Sequence, residues 1–224
     1  MRWPATTPPK VKWDKDILTK GLGENFLINQ CGYKAFPTEA LTHQPITAAI
    51  EVMQENNLDP KEVKEILVET TTRGVDILSD PSKYKPTTKE TADHSLPYCI
   101  AVAVTKGNVL PSDFEEDALR DSFVWSLLDK IKVVANPEID ALFPKIKRAI
   151  VTIKTSQGEY KKQEDFAKGQ PERPLSEEEL ISKFKANTEK KISSSKMEDI
   201  IKATQELENI DEIGKYMTLL ASDK

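Results

Sequence analysis

The stretch 149-AIVTIKTSQGEYKKQEDF-166 decides the fold class. Ile150, Thr152 and Lys154 alternate with apolar neighbours, Ser-Gln-Gly supplies turn chemistry, and a second strand-like run returns, so the segment is expected to form a β-hairpin. Moving outward, IKVVAN (131–136) reads as a short strand, and EVKEILVETTTRG (62–74) as another, with Val63, Ile66 and Val68 followed by a β-branched tail at Thr70–Thr72. Helical patterns flank these strands. Ile46, Ala49, Ile50 and Met53 fall at i, i+3, i+4 and i+7, and Pro60 marks the end of that helix or the start of the next element. Leu96–Val104 is apolar almost all round, as a buried helix would be, with Asp93 and Ser95 as candidate caps. PLSEEELISKFKANTEK (174–190) carries a capping box, Ser176 with Glu179, and two short helices follow at about 195–208 and 211–221. Strands and helices in this mixture give an α+β expectation: a small, mostly antiparallel sheet with packed helices. Residues 1–14 read as an irregular lead-in or linker remnant broken by Pro4, Pro8 and Pro9, and Gly21 and Gly23 punctuate DILTKGLGENFLI (16–28).

The bulk numbers exclude several function classes. The 224 residues carry a formal net charge of −5, which leaves no basic excess for nucleic acid as the main partner. No run reaches the roughly 18 apolar residues of a membrane helix, and MRWPATTPPK lacks the apolar core of a signal peptide. Cys31 and Cys99 form neither a CxxC nor a secreted disulfide framework; as packing thiols they fit a reducing compartment, and the expected location is cytoplasmic. The GxxxxGK[ST] and GxGxxG patterns are absent, and two histidines 51 residues apart offer no zinc spacing, so the metal expectation is none.

Two short stretches carry the candidate chemistry, each with one histidine. In 34-KAFPTEALTHQPITAAI-50, His43 stands just ahead of the helical pattern, and in 83-KYKPTTKETADHSLPYCIAVAV-104, His94 does the same. Each histidine taken alone fits a cap or a satisfied polar residue. Together with Lys34, Arg73, Lys85 and Lys89 nearby in sequence they fit an anion site, for which a solvated surface is the plain alternative.

The string PTTKETADHSLPY, with DILSDPSKY before it and KAFPTEALTH upstream, resembles the MmgE/PrpD family, and the likeness runs from about residue 15 to the C-terminal helices. The resemblance implies a C-terminal α+β domain over 15–224, from a family whose members place an all-helical domain first and an active site in the cleft between the two. That helical domain is expected to be absent from this chain, which makes a separate helical partner, or a homo-oligomer, an expectation too. It implies lyase chemistry on a tricarboxylate small molecule, dehydration of 2-methylcitrate in propionate catabolism foremost, with no cofactor. Decarboxylation of cis-aconitate, epimerisation and a non-catalytic binding role are the alternatives. At the residue level it implies His43, six residues after Pro37, as the catalytic residue; Lys34, Lys89 and His94 as substrate-binding; and Asp93 and Tyr98 as motif or interface residues. Histidine suits the task because its proton moves near neutrality.

Overall fold

The computed structural model describes residues 14–221, so that of the lead-in expected over 1–14 all but Asp14 lies outside the described residues. The chain divides into two compact units, Met1–Cys31 and Gly32–Lys224. Within the first, short 3-10 turns form at Lys15–Leu18 and Leu27–Gln30, and Ile17, Leu18, Leu22, Phe26, Leu27 and Ile28 are all exposed. Cys31 is exposed as well, which corrects its expected role as a packing thiol.

The second unit runs α1 (His43–Glu55), β1 (Glu65–Thr70), α2 (Thr72–Leu78), α3 (Lys89–Asp93), α4 (Leu96–Lys106), α5 (Ser122–Leu128), β2 (Ile131–Ala135), α6 (Pro137–Asp140), β3 (Ala149–Lys154), β4 (Glu159–Glu164), α7 (Glu177–Thr188), α8 (Ser194–Gln205) and α9 (Ile213–Leu219). The strand order is β2-β1-β3-β4, with β1 parallel to β2 and the other two pairings antiparallel. The architecture is α+β, as expected. The hairpin closes where Thr155 donates its N–H to the Gly158 carbonyl at 2.9 Å.

One face of the sheet carries the core. Ile66 and Val68 of β1 sit opposite Ile153 and Val151 of β3, all fully buried, and α1 and α4 pack into the same apolar cluster. The alternating set that marks the hairpin in the sequence, Ile150, Thr152 and Lys154, is therefore the opposite face. Period-2 alternation identifies two faces without saying which is inward. Nine residues of α4 are buried, and Ser95 caps it by accepting from the Tyr98 N–H at 3.1 Å. Asp93 instead ends α3.

One boundary departs from expectation. The β-branched run after β1 stops pairing at Thr70, because the Thr71 hydroxyl accepts from the Gly74 N–H at 3.0 Å and starts α2. Among the described residues no helix is long and apolar enough to cross a membrane.

Candidate functional site

The KAFPTE segment and the ADHS segment meet: the Glu39 N–H donates to the Asp93 carbonyl at 3.1 Å. A tight turn built from Lys34 to Thr42 feeds α1. Lys34 donates its Nζ to the Thr38 carbonyl at 2.8 Å, and the Thr42 hydroxyl donates to the Glu39 carbonyl at 2.7 Å. This turn sets His43 as the first residue of α1, only 4% exposed, with its ring tilted against Phe36 at a centroid distance of 5.6 Å. The Thr47 hydroxyl donates to the His43 carbonyl at 2.8 Å.

Among the described residues, the buried Nε2 of His43 and the buried Oε1 of the adjacent Gln44 have no hydrogen-bond partner. Burial holds the His43 imidazole down to about pKa 4. The Thr38 carbonyl works against this, and the charges of Lys34, Lys183 and Lys147 add to the depression. His43 is therefore a neutral ring at pH 7, with a buried nitrogen that has no partner among the described residues.

The other expected residues lie in different settings. His94 is exposed, with Nδ1 2.5 Å from Asp93 Oδ1. Lys89 opens α3 on the surface. Tyr98 is buried and structural: its hydroxyl donates to the Asp113 carbonyl at 2.7 Å, its ring packs on Phe114, and burial pushes its pKa up. Cys99 is fully buried, and desolvation raises its thiol well above the usual range, so it is a packing residue. The structure thus brings Lys34, His43, Asp93 and His94 onto adjoining segments and leaves Tyr98 in the core.

Three features were missed in sequence. Lys147 and Lys183 lie more than a hundred residues from His43 and carry no local signal. A cavity of about 520 Å³ lies between α1, the turn after α4, and α7, with Phe36, Thr47 and Lys183 in its wall. Glu51 of α1, in that wall, is bridged by Arg173 to Glu164 of β4, and Lys162 reaches Glu51 at 3.1 Å and Glu55 at 2.5 Å. Burial, then hydrogen bonding to Glu51, pushes Glu164 up to about 7, whereas Arg173, Lys162 and Glu164 hold Glu51 below the usual range against its own burial. Among the described residues no group of three His, Cys, Asp or Glu side chains gathers to hold a metal ion.

The fold and the site define a class: an α+β domain with a buried histidine, its Nε2 without a partner among the described residues, on a turn tied to an Asp-His motif. Comparison with known proteins narrows it. The MmgE/PrpD C-terminal domain family matches residues 36–209, and the chain belongs to that family. It is 27% identical over 197 residues to cis-aconitate decarboxylase of Homo sapiens and 26% identical over the same length to that of Mus musculus. In each case the match covers 84% of this chain and 39% of the relative, so the chain spans about two-fifths of the length of the curated relatives it matches.

Proposed function

We propose that the chain supplies the C-terminal wall of a lyase site for a citrate- or aconitate-type tricarboxylate, working without a cofactor. The observation that carries this is His43: a buried, neutral imidazole with a ring nitrogen that has no partner among the described residues. Such a setting suits a neutral base at pH 7. Decarboxylation breaks the bond to a carboxylate, leaves the electron pair on the adjacent carbon as an enolate-like anion, releases CO2 and then needs a proton on that carbon. Dehydration removes a proton from the carbon next to a carboxylate and returns one to the departing hydroxyl. Both build negative charge that lysines offset, and both need a group that moves one proton. In this reading Lys34 holds a carboxylate, with Lys89 and His94 on the adjoining segment, and His43 transfers the proton. The names of the two relatives favour decarboxylation of cis-aconitate over dehydration of 2-methylcitrate.

The purified chain, alone and mixed with a helical-domain polypeptide of the family, is incubated with cis-aconitate or 2-methylcitrate in deuterated water and followed by proton NMR. Loss of CO2 with deuterium gained at carbon identifies a decarboxylase, a new alkene a dehydratase, and exchange alone an epimerase. Turnover that persists undiminished in His43→Gln removes the histidine from the chemistry. Silence in every mixture leaves the second reading, a binding or partner subunit. That reading is favoured by the exposed Ile213, Met217 and Leu220 at the chain's last helix, an apolar surface suited to another polypeptide.

A further inference from the structure

His43 is 4% exposed, and its Nε2 is buried without a partner among the described residues. A nitrogen so placed meets no dissolved molecule until something beside it moves. Beside it is Phe36, whose ring lies 5.6 Å from the imidazole at an interplanar angle of 44°. Phe36 also stands in the wall of the cavity of about 520 Å³, with its neighbours Ala35 and Pro37, whereas His43 does not. The phenyl ring therefore touches the imidazole and the cavity at once. Protein interiors are otherwise close-packed, so a cavity against a buried ring is the direction in which that ring has room to turn.

The segment that carries Phe36 is fastened on either side of it. The Tyr33 N–H donates to the Gly169 carbonyl at 2.7 Å, and the Glu39 N–H donates to the Asp93 carbonyl at 3.1 Å. The first fastening depends on glycine. Gly169 has φ +93°, and a Cβ there would fall 2.0 Å from the Tyr33 carbonyl oxygen. The Gly169 N–H donates in turn to the Arg173 carbonyl at 2.8 Å, and the Arg173 guanidinium bridges Glu51 and Glu164. The fastening thus runs through to α1 and β4. Across the cavity stands α7, with Ser182 and Ala186 in the lining.

We propose that Phe36 is a gate between the cavity and His43, held shut through Gly169: the ring turns into the cavity and lets a small molecule that has entered there reach Nε2. The gate itself concerns access; that the molecule admitted is a substrate rests on the assignment of His43 as the proton carrier.

Diethyl pyrocarbonate, which acylates unprotonated imidazole, reads access without turnover. At pH 7 His43 is unprotonated, so burial is what protects it, and the exposed His94 serves as the internal reference. Peptide mass spectrometry follows both histidines in the full chain, while amide exchange in β3 reports global opening. In the wild type His43 is expected to react far more slowly than His94. Phe36→Ala and Gly169→Ala are each expected to speed His43 by about tenfold or more, with exchange in β3 unchanged. Ala186→Phe, which fills the space the ring turns into, is expected to slow His43 below the wild-type rate, an effect that general loosening would not produce. Should Phe36→Ala also loosen β3, Gly169→Ala and Ala186→Phe decide. Wild-type rates at His43 in Gly169→Ala and Phe36→Ala overturn the gate, as does a wild-type His43 that reacts as fast as His94. An Ala186→Phe chain that reacts as the wild type does overturns the passage through the cavity. Undiminished turnover in His43→Gln would remove the histidine from the chemistry and leave these access rates as they are.

Discussion

Tyr98 and His43 are both buried polar rings, and they differ in what their polar atoms meet. The Tyr98 hydroxyl is satisfied by the Asp113 carbonyl, whereas the His43 Nε2 is not satisfied among the described residues. Tyr98→Phe is expected to cost about 1–2 kcal/mol in urea unfolding, from a lost bond and an orphaned acceptor, with no change in anion binding. His43 behaves oppositely. Its folded-state pKa, about 4, lies below the ordinary 6.5, so the unfolded chain takes up a proton first on acidification. The stability it contributes is present above pH 6.5 and is lost as pH falls toward 4, by up to about 3 kcal/mol. His43→Leu is expected to flatten that part of the urea-midpoint profile; an unchanged acid limb would show that the ring is not buried neutral. Sequence position alone marked His43 and His94 equally, and burial separates them. A lone histidine ahead of a helix gives no sign of what will pack over it.

At the scale of elements, helices with strong periodicity or a capping box were legible, and α1, α4, α7, α8 and α9 lie where the pattern places them, to within a few residues. The shorter helices α2, α3, α5 and α6 were not, although Thr71, Thr88, Asp121 and Asn136 cap them. Apart from α9, a helix of four to seven residues here has too few turns to show a stripe, and tertiary packing stabilises it more than propensity does. Helix α7 has its capping box and no buried residue, so its docking is weak. Ser176→Ala is expected to cost about 1 kcal/mol and to speed amide exchange in α7 ahead of the sheet. The Glu51–Glu164–Arg173 cluster ties α1, β4 and the segment before α7 together. The Glu164 pKa, about 7, lies above its ordinary 4.5, so its contribution is full below pH 4.5 and is lost as pH rises through 7. Glu164→Gln should gain stability relative to wild type between pH 5 and pH 8, read as a growing difference in urea midpoint. A constant difference across that range would mean that the proton is not held there.

For the whole molecule, a parallel β1–β2 pair joined across some sixty residues and an antiparallel β3–β4 hairpin share one sheet, and α1 and α4 pack into the core on one of its faces. Ile213, Met217 and Leu220 remain outside that core, on a chain that spans 39% of its curated relatives' length. Replacing Ile213 and Met217 together by lysine is expected to leave the urea midpoint within about 0.5 kcal/mol, since both are exposed, while abolishing capture of a family helical-domain polypeptide. Capture that survives the double change would exclude this helix as the contact.

The sequence by itself determined the mixture of strands and helices, the hairpin and its turn, the buried character of α4, and the family, through the DHSLPY string in its setting. Those features are local: alternation, capping and turn chemistry act within a few residues, so a short window records them. Tertiary structure alone decided which alternating set faces inward, that Tyr98 is a core pin, and that His43 is buried while His94 is exposed. It also decided that Arg173 bridges two glutamates 113 residues apart, Glu51 and Glu164. The physical reason is that a charge acts through a few ångströms of space rather than along the chain, and only the packing of α1 between β3, β4 and α4 brings such distant residues within that range.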